Sequence, residues 1–259
     1  SWDAVAGATL YRVYRRDENT AVIYGFINAQ TVASFEDGAN LSADVREVPP
    51  VESTPFAATG DYPSAVGFFQ QRLLLGATTD DPYQVRASRS GDTFNFNVRS
   101  PLQDDDAISW VQVSRDLASI RHFLDLNGLI ALTAEGEWLV EGNDSGLLVG
   151  SAPPNLRQFA YNGASTCPPV YVNDTAVYVQ ARGGAVRDVR SSLQDGPSSS
   201  ELSLTASHLV DENTIVQMAF QQVPHAIIWM VRDDDVLLSL TYQRETGVVG
   251  WARHVTDGT

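Results

Sequence analysis

The sequence predicts an all-β chain, and three observations carry that expectation. Apolar runs are short, the longest about six or seven residues, which suits strands and falls far below the ~18 needed to cross a bilayer. Turn residues separate them, among them Asn127-Gly128, Gly183-Gly184 and Glu245-Thr246-Gly247. The order of apolar strand, polar turn, apolar strand, glycine or charged turn, and strand recurs at an uneven spacing near ~50 residues.

The first region is residues 1–50. Residues 10–15 (Leu-Tyr-Arg-Val-Tyr-Arg) alternate as a half-buried strand does. Residues 21–27 are a second strand candidate. Residues 33–37 are a third, closed by Gly38. Val48-Pro49-Pro50 ends the region, because paired prolines cannot continue a ladder. The expected division is a β segment over 1–50, a linker over 51–61 and a larger domain over 62–259.

That larger domain repeats its pattern four times. The first unit is 65–69, Gln70-Gln71, 73–75. The second is 120–126, Asn127-Gly128, 129–133, Glu135-Gly136, 138–140. The third is 170–172, Asn173-Asp174, 176–180, Gly183-Gly184, 186–189. The fourth is 227–231, Asp233-Asp234-Asp235, 236–242, Glu245-Thr246-Gly247, 248–251. Asn-Gly between apolar runs signals a hairpin, because both central turn positions need positive φ. A small sheet cannot bury both faces alone, and stacking such sheets around an axis buries them against neighbours. The expected fold of 62–259 is therefore β-propeller-like. Closed propellers have about 4–8 blades, so four units leave open whether the ring closes here or with residues beyond its C-terminus. Helix is expected only as a turn or two over 202–210 or 214–222.

Size and composition narrow the function. The chain has 259 residues, and a unit of ~200 residues buries about 70% of its unfolded surface without help from metal or disulfide. The start at Ser1-Trp2-Asp3 shows no signal-peptide pattern and no initiator Met, which suggests a fragment or processed product. The single cysteine, Cys167, excludes an internal disulfide and a cysteine-rich zinc site. It precedes Pro168-Pro169 and reads as buried filler. Thirty-two acids face 17 bases, for a net charge of −15, and every base is arginine. Tight nucleic-acid binding and docking on anionic membranes both need the opposite balance.

Candidate motifs read as structural. Asp104-Asp105-Asp106 is the densest acidic run, but it lacks the spacing of a calcium loop and reads as a solvated loop. Asp233-Asp234-Asp235 reads as a hairpin turn. No two of His122, His208, His225 and His254 lie within five residues of each other, so no local metal pair exists. A Gly-x-Ser-x-Gly elbow and a phosphate loop are absent. The expectation is no catalytic residue, no cofactor-binding residue, no metal ligand, no cofactor and no enzymatic activity. Trp138 and Trp229, each in an apolar strand beside a polar turn, are expected in the core.

Several phrases resemble known families. Ser88-Arg89-Ser90-Gly91-Asp92-Thr93-Phe94 is similar to the structural Asp-box turn of sialidase-like propellers, one residue short before its glycine. Tyr62-Pro63-Ser64-Ala65-Val66-Gly67-Phe68-Phe69-Gln70-Gln71-Arg72-Leu73, Ala87-Ser88-Arg89-Ser90-Gly91-Asp92 with Phe94-Asn95-Phe96, and Gln103-Asp104-Asp105-Asp106-Ala107-Ile108 follow in order. Gly136-Glu137-Trp138, Met218-Ala219-Phe220-Gln221-Gln222-Val223-Pro224 and Leu240-Thr241-Tyr242 with Arg244-Glu245 complete the series. Together they resemble the tail nozzle, or tail tubular protein B, of short-tailed bacteriophages, over roughly residues 60–259. Trp2-Asp3-Ala4-Val5-Ala6-Gly7-Ala8 with Tyr11-Arg12-Val13-Tyr14 resembles part of a fibronectin type III module.

The resemblance implies a structural component of the virion tail, made in the bacterial host cytoplasm and assembled as a six-fold ring. It implies a lumen through which DNA passes in transit. Its implied partners are copies of itself, the adaptor ring and tail fibres, with no membrane insertion. A second reading from another class is a carbohydrate-binding or depolymerase-type propeller on the virion surface, which activity on surface glycans would reveal.

Overall fold

A computed structural model describes residues 1–16, 24–38, 42–44, 49, 55–112, 118–192, 196–244 and 246–255. The chain is nearly all β, with 47% strand and 3% helix. Strands β1 (Tyr11–Arg16) and β2 (Tyr24–Gln30) form a two-stranded antiparallel sheet. Of the candidate strand 21–27, residues 21–23 lie outside the described residues. Residues 33–37 are not a strand. The place beside β2 is taken by Asp44, whose backbone exchanges hydrogen bonds with Phe26 at 2.8 and 3.1 Å. Asp37 instead receives Arg15 at 3.0 Å.

Four four-stranded antiparallel sheets follow, each laid down in chain order. The first holds β3 (Ala65–Phe69), β4 (Arg72–Gly76), β5 (Gln84–Ala87) and β6 (Ile108–Val111). The second holds β7 (Ile120–Asp125), β8 (Leu129–Thr133), β9 (Glu137–Glu141) and β10 (Asn155–Ala160). The third holds β11 (Val170–Val172), β12 (Thr175–Val179), β13 (Val186–Ser192) and β14 (Gly196–Glu201). The fourth holds β15 (Ile215–Gln221), β16 (Ile227–Arg232), β17 (Leu237–Gln243) and β18 (Val248–His254).

Each expected unit lies within one sheet, but the fourth is one strand out of phase. Its runs are β16 to β18, and the first strand is β15, within the segment 214–222 where a helical turn was one expectation. Residues Ile215–Gln221 pair with β16, and a bulge between Ile215 and Gln217 lets both Ile215 and Met218 be buried. The other helical expectation, 202–210, contains a 3-10 turn at Leu204–Leu209. Turn chemistry follows the residues that signalled it: Asn127 has φ +50°, Gly128 +148° and Asn173 +56°.

The sheets stack face to face in sequence order. The period-two alternation of each strand decides what it touches. In β8, Leu129 and Ala131 join the core shared with the first sheet, while Ile130 and Leu132 join the core shared with the third. In β12, Ala176 and Tyr178 face the second sheet, while Val177 and Val179 face the fourth. Three cores thus lie between four sheets, and β8 and β12 are buried along their whole length. The first and fourth sheets each bury one face. Val66 and Phe68 on β3 are 63% and 64% exposed. The first strands β3 and β7 lie against each other, as do β11 and β15. Gly67 permits the former contact, since a Cβ there would fall 2.7 Å from the Cβ of Phe123. Among the described residues no helix is long and apolar enough to cross a membrane.

Candidate functional site

Polar and charged groups gather in three clusters inside the stack. The largest is built on Arg72, which opens β4 and is 1% exposed. Its Nη1 donates to the carbonyl oxygens of Ser88 at 2.8 Å and Asp106 at 2.6 Å, and its Nη2 to that of Asp104 at 2.7 Å. Burial pulls its guanidinium below the ordinary arginine value, against the opposing charges of Asp105 and Asp106. Ser88 is also buried; its Oγ accepts from the Leu73 amide at 2.9 Å.

Asp104-Asp105-Asp106 is a solvated loop only in part, with Asp104 exposed and Asp105 half-exposed. Asp106 is 0% exposed. It accepts from Arg99 Nε at 2.7 Å and from the Gln103 amide at 2.9 Å. Asp105 is gripped by both Arg89 and Arg99. Partial burial opposes ionisation of Asp105, but the hydrogen bonds and charge of Arg89 and Arg99 outweigh it and hold the carboxyl below the usual range. Asp104 turns away to Ser151. Asp105 and Asp106 thus converge on Arg99 while Asp104 alone points elsewhere. Among the described residues no group of His, Cys, Asp and Glu is placed to hold a metal ion.

The same region reaches the second sheet. Gln70 Nε2 donates to the Gly146 carbonyl, and its Oε1 accepts from the Leu148 amide, both at 2.8 Å. The phrases around Gln70-Gln71-Arg72, Ser88-Arg89 and Asp104-Asp105-Asp106 are thus one assembly in space. The Asp-box-like segment forms a tight turn after β5, with an Arg89–Asp92 bridge and Gly91 at φ +74°.

Two further clusters clasp neighbouring sheets. Glu137, fully buried on β9, accepts from the Tyr178 hydroxyl of β12 and from the Asn162 amide. Asp188 on β13 accepts from the Tyr242 hydroxyl of β17 at 2.6 Å, from Arg244 and from the Ser200 amide at 2.9 Å. Burial first, then the adjacent carboxylate, raises the pKa of Tyr178; burial first, then the hydrogen bond and charge of Asp188, raises that of Tyr242. Each is a buried tyrosine hydroxyl donating to a carboxylate across two sheets.

Cys167 is buried filler, its thiol pushed up to about 11 by desolvation. Trp138 is buried in the core between the first two sheets. Trp229 is not a core residue: it lies half-buried on the outer face of the fourth sheet, donating to Gln221 Oε1 at 2.9 Å and resting against the His254 ring. The alternation of β16 gives Ile228 and Met230 the inward places and leaves Trp229 the outward one. Asp234 sits in the β16–β17 turn paired with Arg232. His122 bonds the Ser165 carbonyl at 3.0 Å and His254 the Ser239 hydroxyl at 2.7 Å.

Sequence reasoning missed Arg72, Glu137, Tyr178, Asp188 and Tyr242. The available signal was a charge or hydroxyl inside an apolar run, as in Arg72-Leu73-Leu74-Leu75 and Ala176-Val177-Tyr178-Val179. Compared with protein-family models and with curated proteins, the chain matches none.

Proposed function

We propose that this chain is a non-enzymatic structural component of a short-tailed phage tail, part of the nozzle or tubular ring through which the genome leaves. On this reading residues 62–259 are four blades of a β-propeller, residues 1–50 are part of a fibronectin III-like sandwich and 51–61 join them. The observation that carries it is the fate of the phrases resembling tail proteins. Gln70, Arg72, Ser88, Arg89 and Asp104 to Asp106 serve to fix a loop to a sheet and one sheet to the next. Their polar groups work inward, which suits a part whose task is shape. Four consecutive meanders, with the first strands of sheets one and two and of sheets three and four in contact, support the blade assignment.

The ring would be built of copies of this protein, meeting adaptor ring and fibres, with DNA present only in transit. Antibody against the purified chain, applied to particles of the phage that encodes it, tests the reading by electron microscopy. Label at the tail is expected. Particles free of label, or turnover of a surface glycan by the purified chain, would overturn it.

A further inference from the structure

Between the third and fourth sheets, at the end marked by the Asn173-Asp174 turn, lies a cleft of about 660 Å³. Ligand pockets are usually roughly 300–1,000 Å³. We propose that this cleft binds a hydroxylated carboxylic acid of monosaccharide size, the chemistry of a hexuronic acid, with Arg190 taking the carboxylate.

Arg190 stands on β13, two residues beyond Asp188 and on the same face. Its Nε is buried without a hydrogen-bond partner, and none of the ion pairs among the described residues includes it. A guanidinium whose Nε is buried without a partner is anchored by no hydrogen bond among the described residues, so a carboxylate meeting its terminal nitrogens from the cleft gains what the free protein lacks. The planar guanidinium fork matches a carboxylate with two parallel bonds. Arg244 lines the same cleft. One of its nitrogens bonds Asp188, and its side chain stays 30% exposed, leaving further donors open to the cleft.

The neighbouring acids narrow the ligand. Asp188 is fully engaged by Ser200, Tyr242 and Arg244. Asp174 borders the cleft and bonds the Thr175 hydroxyl at 3.3 Å. One unengaged guanidinium beside one acid suits a singly charged carboxylate better than a doubly charged phosphate. Asn173, Gln243 and Thr246 on the walls offer neutral donors and acceptors for hydroxyl groups. A second cleft, of about 680 Å³, lies between the second and third sheets. Much of its polar lining is paired within the protein, Asn155 and Arg157 with Glu141, Asn127 with the Ser191 carbonyl and Asn143 with the Ser145 and Leu147 amides. The contrast singles out Arg190.

The test is a calorimetric titration of the whole chain with glucuronate, glucose, acetate and inorganic phosphate as separate probes. Saturable glucuronate binding is expected, with each other probe at least about tenfold weaker. Arg190→Met should weaken glucuronate at least about tenfold while the melting temperature holds, since Arg190 makes no ion pair among the described residues. Arg190→Lys, which keeps charge but not the fork, should also weaken binding, and serves if the methionine variant fails to fold. Asp174→Asn should tighten it. No glucuronate binding at roughly 50 mM, equal binding of glucose, acetate or phosphate, or unchanged affinity in a folded Arg190 variant would overturn the proposal.

Discussion

Arg72 donates to three backbone carbonyl oxygens; that of Asp104 also accepts from the Gly150 amide, but those of the buried Ser88 and Asp106 would lose their side-chain donor with it. Arg72→Met is expected to destabilise the fold by about 2–5 kcal/mol in a urea titration, from two buried carbonyls left unmet. A loss below ~1 kcal/mol would mean that water replaces the guanidinium. The residue was readable in sequence only as an anomaly, an arginine opening an apolar run; its partners lie 16 to 34 positions away along the chain, a distance no local pattern spans. Trp138 and Trp229 looked alike in sequence because both flank polar turns, and the side of the strand separates them. Trp138→Ala should cost about 3–5 kcal/mol and Trp229→Ala clearly less. Asp105 has a folded pKa held below its unfolded value of about 3.9. It therefore contributes stability that is present above that value and lost as pH falls through the folded one. Melting temperatures of the native chain should drop more steeply below about pH 4 than those of Asp105→Asn.

Strands were legible where apolar residues ran between turn formers, and the first three sheets declared at least their opening pair. The last strands of those three sheets did not. β10 reads Asn-Leu-Arg-Gln-Phe-Ala and β14 Gly-Pro-Ser-Ser-Ser-Glu, because an edge strand half in water needs few apolar side chains. The clasps between sheets were equally hidden, since each joins two strands from different units. Tyr178→Phe removes the hydroxyl that serves Glu137 and should cost about 1–3 kcal/mol. In a double-mutant cycle with Glu137→Gln the two changes should be strongly non-additive; simple addition would show that the clasp carries no coupling. The raised folded pKa of Tyr178 and Tyr242 gives stability present below their unfolded value of about 10 and lost as pH rises through the folded one. Their ionisation, followed by ultraviolet absorbance, should coincide with alkaline unfolding rather than precede it.

At the scale of the molecule, a net charge of −15 faces any polyanion with repulsion over about one Debye length, ~8 Å at physiological salt. A mobility-shift titration should show no retention of duplex DNA below ~1 µM at that salt. Retention there would mean that some arginines form a basic stripe. The stacking of sheets was legible as a repeat; its consequence for motion was not. Each core is co-owned by two neighbours, so the loss of one sheet strips a face from the next. Cooperativity then runs along the stack as in a one-dimensional chain, with opening cheapest at its ends. Amide exchange should be slowest in β8 and β12, each covered on both sides, and should quicken toward β3 and β18. The stack would thus open sheet by sheet from the outside, its middle pair holding their amide protons longest.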